Sequence, residues 1–222
     1  MRSLLMMLWL ASAPLWGAQW RLERSVDGVT LWSQPRPPES YLALRLEMRV
    51  RAAPAALLRV LRDTSRHRLW LPQSREVRLL ARPSPGTDLV YTLLVAPWPA
   101  ADRELITRSH LSWGEDCRLV LVVQAEPDAR PSHPQRVRIR HSSGRWEALP
   151  MGDGTTLVRL ESYTHPGGSL PAWLVNPMAM RAALEGFSAI RTLMQVAPQE
   201  ASDCEPCAKA RCQRASMGSP SK

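Results

Sequence analysis

The residues best able to hold a metal or shuttle a proton are His67, His110, His133, His141 and His165, and they are scattered along the chain. No two fall at i,i+4 of a helix or i,i+2 of a strand, the separations that bring two imidazoles to one metal ion. Gly-x-Ser-x-Gly and Gly-x-Gly-x-x-Gly are both absent, so nucleophile-elbow hydrolysis and dinucleotide binding lack their local chemistry. Asp102, Arg103 and Glu104 place acid and base side by side, but a run of opposite charges beside a loop more readily makes ion pairs that orient it. Glu161 and Tyr163 face one side of an expected strand, and Leu160 and Ser162 the other. An inward Glu161 could pair with an arginine and grip the polar end of a ligand; an outward one is equally consistent. Cys204, Cys207 and Cys212 have close spacing but no fourth ligand nearby. In an oxidising compartment they suit a disulfide with one thiol left over, while Cys117 falls in an expected strand. No catalytic group, metal or cofactor is expected.

The elements that must position any site are easier to read. Asp27-Gly28 between Trp20–Glu23 and Val29–Ser33 signals a hairpin. Over Tyr41–Arg51, Leu42, Leu44, Leu46, Met48 and Val50 alternate with Ala43, Arg45, Glu47, Arg49 and Arg51, a half-buried strand of period two. Pro54 opens a helix whose apolar side carries Leu57, Leu58 and Leu61, with Arg66–Pro72 as an irregular or short helical continuation. Strands are expected at Arg75–Arg82, Asp88–Ala96, Glu104–Trp113, Cys117–Glu126, Arg136–Ala148 and Thr155–Thr164. Turns rich in Pro, Gly and Asp separate them. Short connections imply an antiparallel meander. Pro171–Val196 reads as one long amphipathic helix with Met180, Ala183, Phe187, Ile190 and Met194 on one stripe. Arg191 lies on a flanking face, where replacement is expected to alter neither stability nor binding. A large twisted sheet with one long helix must curl around it, and unfilled volume between them becomes a cavity.

Residues 1–18 read as a signal peptide: Arg2, an apolar run Leu4–Ala11, then small residues to Gly17 and Ala18. Residues 19–196 form the domain, and 197–222 a disordered tail that carries the three cysteines. The protein is therefore expected in the periplasm or secreted. Its formal charge of +9 comes almost wholly from arginine, since lysine occurs only at Lys209 and Lys222. The arginines are spread over strand faces without interleaved aromatics, so nucleic acid is not the expected partner. Weak attraction to anionic lipid head groups is.

Pro97-Trp98-Pro99 followed by Asp102-Arg103-Glu104 resembles the strand-entry motif of START (steroidogenic-acute-regulatory-related lipid-transfer) domains. The run Pro166-Gly167-Gly168-Ser169-Leu170-Pro171-Ala172-Trp173-Leu174-Val175-Asn176 resembles the entry to the last helix in bacterial members. Trp20, Asp27-Gly28-Val29 and Trp70-Leu71-Pro72 agree in position. The resemblance spans Trp20 to Met194. It implies an α+β helix-grip fold, a curved antiparallel sheet around a long C-terminal helix that acts as lid over a non-catalytic hydrophobic tunnel. Two departures stand out. Glu104 replaces the usual aspartate, and Ser109 occupies the place where phospholipid-binding relatives carry an arginine facing the tunnel. That argues against a phosphate head group deep in the cavity.

The expected ligand contacts are Arg103, Leu105, Thr107, Ser109, Leu111 and Trp113 on one strand, Met180 and Phe187 on the helix, and Trp98 and Trp173 at the mouth. The expected partners are a lipid or other hydrophobic molecule and, transiently, a membrane surface. Burying a sixteen-carbon chain is worth roughly 13 kcal/mol gross, whereas one exposed ion pair gives about 0–1 kcal/mol. The wall would supply the affinity and a few polar groups the choice of head group. Two rival readings are an enzyme of polyketide cyclase or aromatase type on the same fold and a ligand-free interaction module of the cell envelope.

Overall fold

A computed structural model describes residues 19–196. The expected leader, and the tail with Cys204, Cys207 and Cys212, lie outside the described residues. Strands β1 (Arg21–Val26), β2 (Val29–Arg36) and β3 (Tyr41–Val50) precede helices α1 (Pro54–Arg62) and α2 (His67–Trp70). Then come β4 (Ser74–Ser84), β5 (Thr87–Leu94), β6 (Arg103–Trp113), β7 (Leu119–Ala125), β8 (Val137–Arg138), β9 (His141–Pro150) and β10 (Thr156–His165). Helix α3 (Ala172–Val196) closes the domain.

The sheet runs β1-β2-β3-β10-β9-β7-β6-β5-β4, antiparallel between neighbours and not closed. Residues Asp27 (φ 50°) and Gly28 (φ 73°) make the β1–β2 turn with both central residues in the left-handed region, the geometry that matches strand twist. Alternation along β3 works as the sequence implied: Leu44, Leu46, Met48 and Val50 enter the main core with Phe187, Ile190 and Met194 of α3. Thus the sheet curls around α3 because one face of each strand and one stripe of the helix have the same apolar surface to hide.

Three expectations need correction. First, the strand expected over Arg136–Ala148 is two. Residues Val137 and Arg138 pair parallel to Arg103 and Glu104, because Arg138 turns inward to the Glu104 carboxylate, 3.0 Å away. The connection before β8 then covers the outer face of β6, burying Ile106 with Tyr91 and Leu93 against Ala129. Second, Cys117 stands in the β6–β7 turn with φ 63° and is disulfide-bonded; the tight return from Trp113 to Leu119 leaves it no ladder position. Third, Arg191 is not idle. Its guanidinium donates to the carbonyl of Asp27, fastening the β1–β2 hairpin to α3.

Candidate ligand cavity

Between α3 and the concave face of the sheet lies a cavity of about 360 Å³. Leu42 and Leu44 of β3, Trp146 of β9 and Leu160 of β10 form its sheet wall, each at an inward position of a period-two strand. Helix α3 supplies Val175, Ala179, Ala183, Phe187 and Ile190, and small side chains on that stripe leave the space open. Trp70 and Leu71, at the end of α2, form a third side. The Phe187 ring stacks on Trp146, with centroids 5.7 Å apart and planes 12° from parallel.

The wall is almost wholly apolar. Its polar members are Gln73, Ser162, Thr164 and Arg103, and among the described lining residues there is no carboxylate, histidine or thiol. Arg103 is only 6% exposed. One terminal nitrogen donates to the Ala101 carbonyl and the other to that of Gly167 at 3.4 Å. Its Nε is buried without a hydrogen-bond partner, and it makes no ion pair among the described residues. Burial pushes the guanidinium below its ordinary pKa, only partly opposed by Asp102 and Tyr41.

The neighbours of Arg103 have structural partners. Glu104 is buried against Arg138 and accepts the His133 backbone N–H at 2.8 Å. Asp102 pairs with Arg75 at 2.9 Å and accepts from the Ala96 N–H. Glu161 faces outward and holds Arg45 at 2.8 Å, while Leu160 and Ser162 face the cavity. Asn176, just before Pro177, clasps β3: its Oδ1 accepts from Leu42 N–H and its Nδ2 donates to Ser40 carbonyl, both at 3.1 Å. Tyr41 adds a hydroxyl bond to the Leu170 carbonyl at 2.6 Å.

Of the ligand contacts expected from sequence, Arg103 and Phe187 line this cavity. Leu111 and Trp113 line a separate hollow beside Leu58 and Arg62 of α1. Leu105, Thr107 and Ser109 share the inner face of β6 but line neither space. Ser109 donates to the Asp88 carbonyl, and the Asp88 carboxylate binds Arg62 and Arg82, so the Arg62 side chain at the end of α1 reaches over this stretch of strand. Met180 is half-buried beside the core, one position off the lining stripe. Trp98 and Trp173 stand in solvent at 92% and 75% exposure, the first on the loop whose Pro97 lines the cavity and the second in the first turn of α3, just after Leu170 of the lining. Sequence reasoning missed Trp70, Trp146 and the Leu160, Ser162, Thr164 row; strand alternation on β10 pointed to the last of these.

The model of the START domain family matches residues 8–200. The chain belongs to this family. Similar proteins include an uncharacterized protein of Pseudomonas aeruginosa, 27% identical over 199 residues that cover 86% of this chain and 98% of the relative. The phosphatidylcholine transfer protein of Mus musculus is 24% identical, over 75% of this chain and 79% of its own. Among solved structures, a STAR-related lipid transfer protein fragment from Xanthomonas axonopodis superposes with a TM-score of 0.72 at 26% identity, covering 79% of this chain and 98% of that fragment. This START domain therefore has the helix-grip architecture, with a curved sheet of ten strands that stays open.

Proposed function

We propose that this START domain binds a lipid in the cavity beneath α3 and transfers it between membranes without chemical change. The observation that carries the reading is the apolar wall, built from Leu44, Trp146, Leu160, Phe187 and Ile190 and without carboxylate, imidazole or thiol among its described residues. Such a wall holds a greasy chain by exclusion from water. A lipid leaving one bilayer gains little by entering an equally apolar cavity, so loading is reversible, as a carrier requires. The lipid-transfer names of its relatives point the same way.

Entry would pass the β5–β6 connection. Tyr41 and Asn176 tie the start of α3 to β3, whereas the loop from Pro97 is held by its own Ala100-to-Pro97 bond, the Arg103 bond to the Ala101 carbonyl and the Asp102 contacts. Trp98 on that loop and Trp173 at the head of α3 are large apolar side chains in water, and we assign them to membrane contact during exchange. The short apolar leader and the Cys117 disulfide favour export to the periplasm or beyond.

Native mass spectrometry of protein purified from the cell envelope should reveal a co-purifying lipid, and labelled lipid should move between vesicles when the protein is added. Protein that carries no lipid after mild purification and moves none would sink the proposal.

A further inference from the structure

A buried charge normally has a counter-charge, because removing an ion from water is costly unless it is paired. Every other strongly buried ionic group described in this domain obeys: Glu104 has Arg138, and Asp88 has Arg62 and Arg82. Arg103 does not. Among the described residues it is the one charged side chain lining an otherwise greasy cavity; it rests on two backbone carbonyls, and its Nε has no hydrogen-bond partner among them.

The wall is also graded. Along β10 the inward residues run Thr164, Ser162, Leu160, and Leu160 stands opposite Trp146 in the ladder, where Phe187 stacks. Thr164 lies three residues before Gly167, the carbonyl that holds Arg103. Polarity therefore falls from the Arg103 end to the Trp146–Phe187 end, over about 13 Å of strand. Gly167 and Gly168, both at positive φ, bring the β10–α3 loop close over the guanidinium: a β-carbon on Gly168 would sit 3.6 Å from an Arg103 terminal nitrogen.

We propose that Arg103 anchors the anionic oxygen head of a single-chain amphiphile, with the tail lying along β10 toward Trp146 and Phe187. The proposal rests on the reading of the cavity as a lipid site and adds the head group and the chain number. A carboxylate or a phosphate would satisfy the guanidinium by charge-assisted hydrogen bonds. The volume of about 360 Å³ is at the lower end of the ~300–1,000 Å³ of small-molecule sites, which suits one chain. Ser109 does not compete for the head, since it is turned to Asp88 outside the cavity.

The test is a titration of delipidated full-length protein with dodecanoate, dodecyl phosphate and dodecanol, followed by intrinsic tryptophan fluorescence. Both anions should bind at least about tenfold more tightly than the alcohol, and the tighter of the two identifies the head as carboxylate or phosphate. Arg103→Gln should erase that preference, bringing both anions down to the affinity of dodecanol for the same variant. Should that variant fail to fold, the wild-type comparison alone decides. Equal binding of dodecanol and both anions by the wild type would overturn the anchor while leaving the lipid site standing. Displacement of dodecanoate by one equivalent of phosphatidylcholine would overturn the single chain. Binding of none of the probes, phosphatidylcholine included, would overturn the anchor and the lipid site together.

Discussion

The carbonyl oxygen of Trp70 rests against Gly186, so closely that a β-carbon there would overlap it. Gly186 is the only glycine of α3, and it is what lets α2 lie on the long helix. In an ordinary helix interior, Gly→Ala stabilises by about 1 kcal/mol. Here Gly186→Ala should instead destabilise by roughly 1–3 kcal/mol, the usual scale of overpacking. Urea unfolding settles the sign. Because Trp70 also walls the cavity, the same variant should bind lipid less tightly.

Arg138→Met should be severe. It strands the Glu104 carboxylate, 2% exposed, with only the His133 N–H and a long Tyr91 contact. Breaking one side of a buried pair costs about 3–5 kcal/mol. Adding Glu104→Gln should recover part of the loss, read as a non-additive double-mutant cycle in denaturant melts.

Trp98→Ser and Trp173→Ser should leave thermal stability nearly unchanged, within about 0.5 kcal/mol, because both rings are in solvent. Their effect should fall on vesicle binding and transfer rate. Co-sedimentation with anionic vesicles that matches wild type in both variants would remove them from the membrane-contact assignment.

Phe187→Ala removes a ring that is 2% exposed and stacked on Trp146, a change that costs about 3–5 kcal/mol in a filled core. Since the ring also borders open volume, the loss should lie toward the lower figure and lipid affinity should fall. Arg191→Ala deletes the bond to the Asp27 carbonyl and should cost about 1 kcal/mol with lipid affinity intact. Calorimetry with and without lipid separates the two.

Acid titration has one well-defined reporter. Hydrogen bonds from the Ser65 side chain, then from Arg66, hold the Asp63 carboxyl at about 2. A folded pKa below the unfolded value means that the turn after α1 gains stability above about pH 4, and loses it as pH falls through about 2. Carboxyl NMR should show Asp63 titrating there, and Ser65→Ala should move it upward.

Much of the fold was legible because β3 and α3 obey single periods: two along Leu44, Leu46, Met48 and Val50, and helical along Ala183, Phe187, Ile190 and Met194. The Asp27-Gly28 turn announced itself in the same way. What alternation could not convey was which inner-face residues sit under α1 and which border open space. Ser109 and Arg103 share a face of β6, yet one is turned to Asp88 and the other borders the cavity. That division depends on where α1 packs, a tertiary fact with no local signature. The β8 break was hidden for a similar reason: Arg138 leaves the expected strand to reach a carboxylate far away in sequence.

An open sheet has two lateral borders, and here neither invites another chain. The ladder of β4 slips at three places and that of β1 at one, so neither offers a straight row of free amides. Arg75, Arg78 and Arg82 are exposed along one border, and Arg21 and Arg24 along the other. Interrupted register and dense charge are the means by which sheets resist edge-to-edge aggregation. Part of the arginine excess that makes the chain so basic thus lies along the two borders where strand pairing between copies would begin.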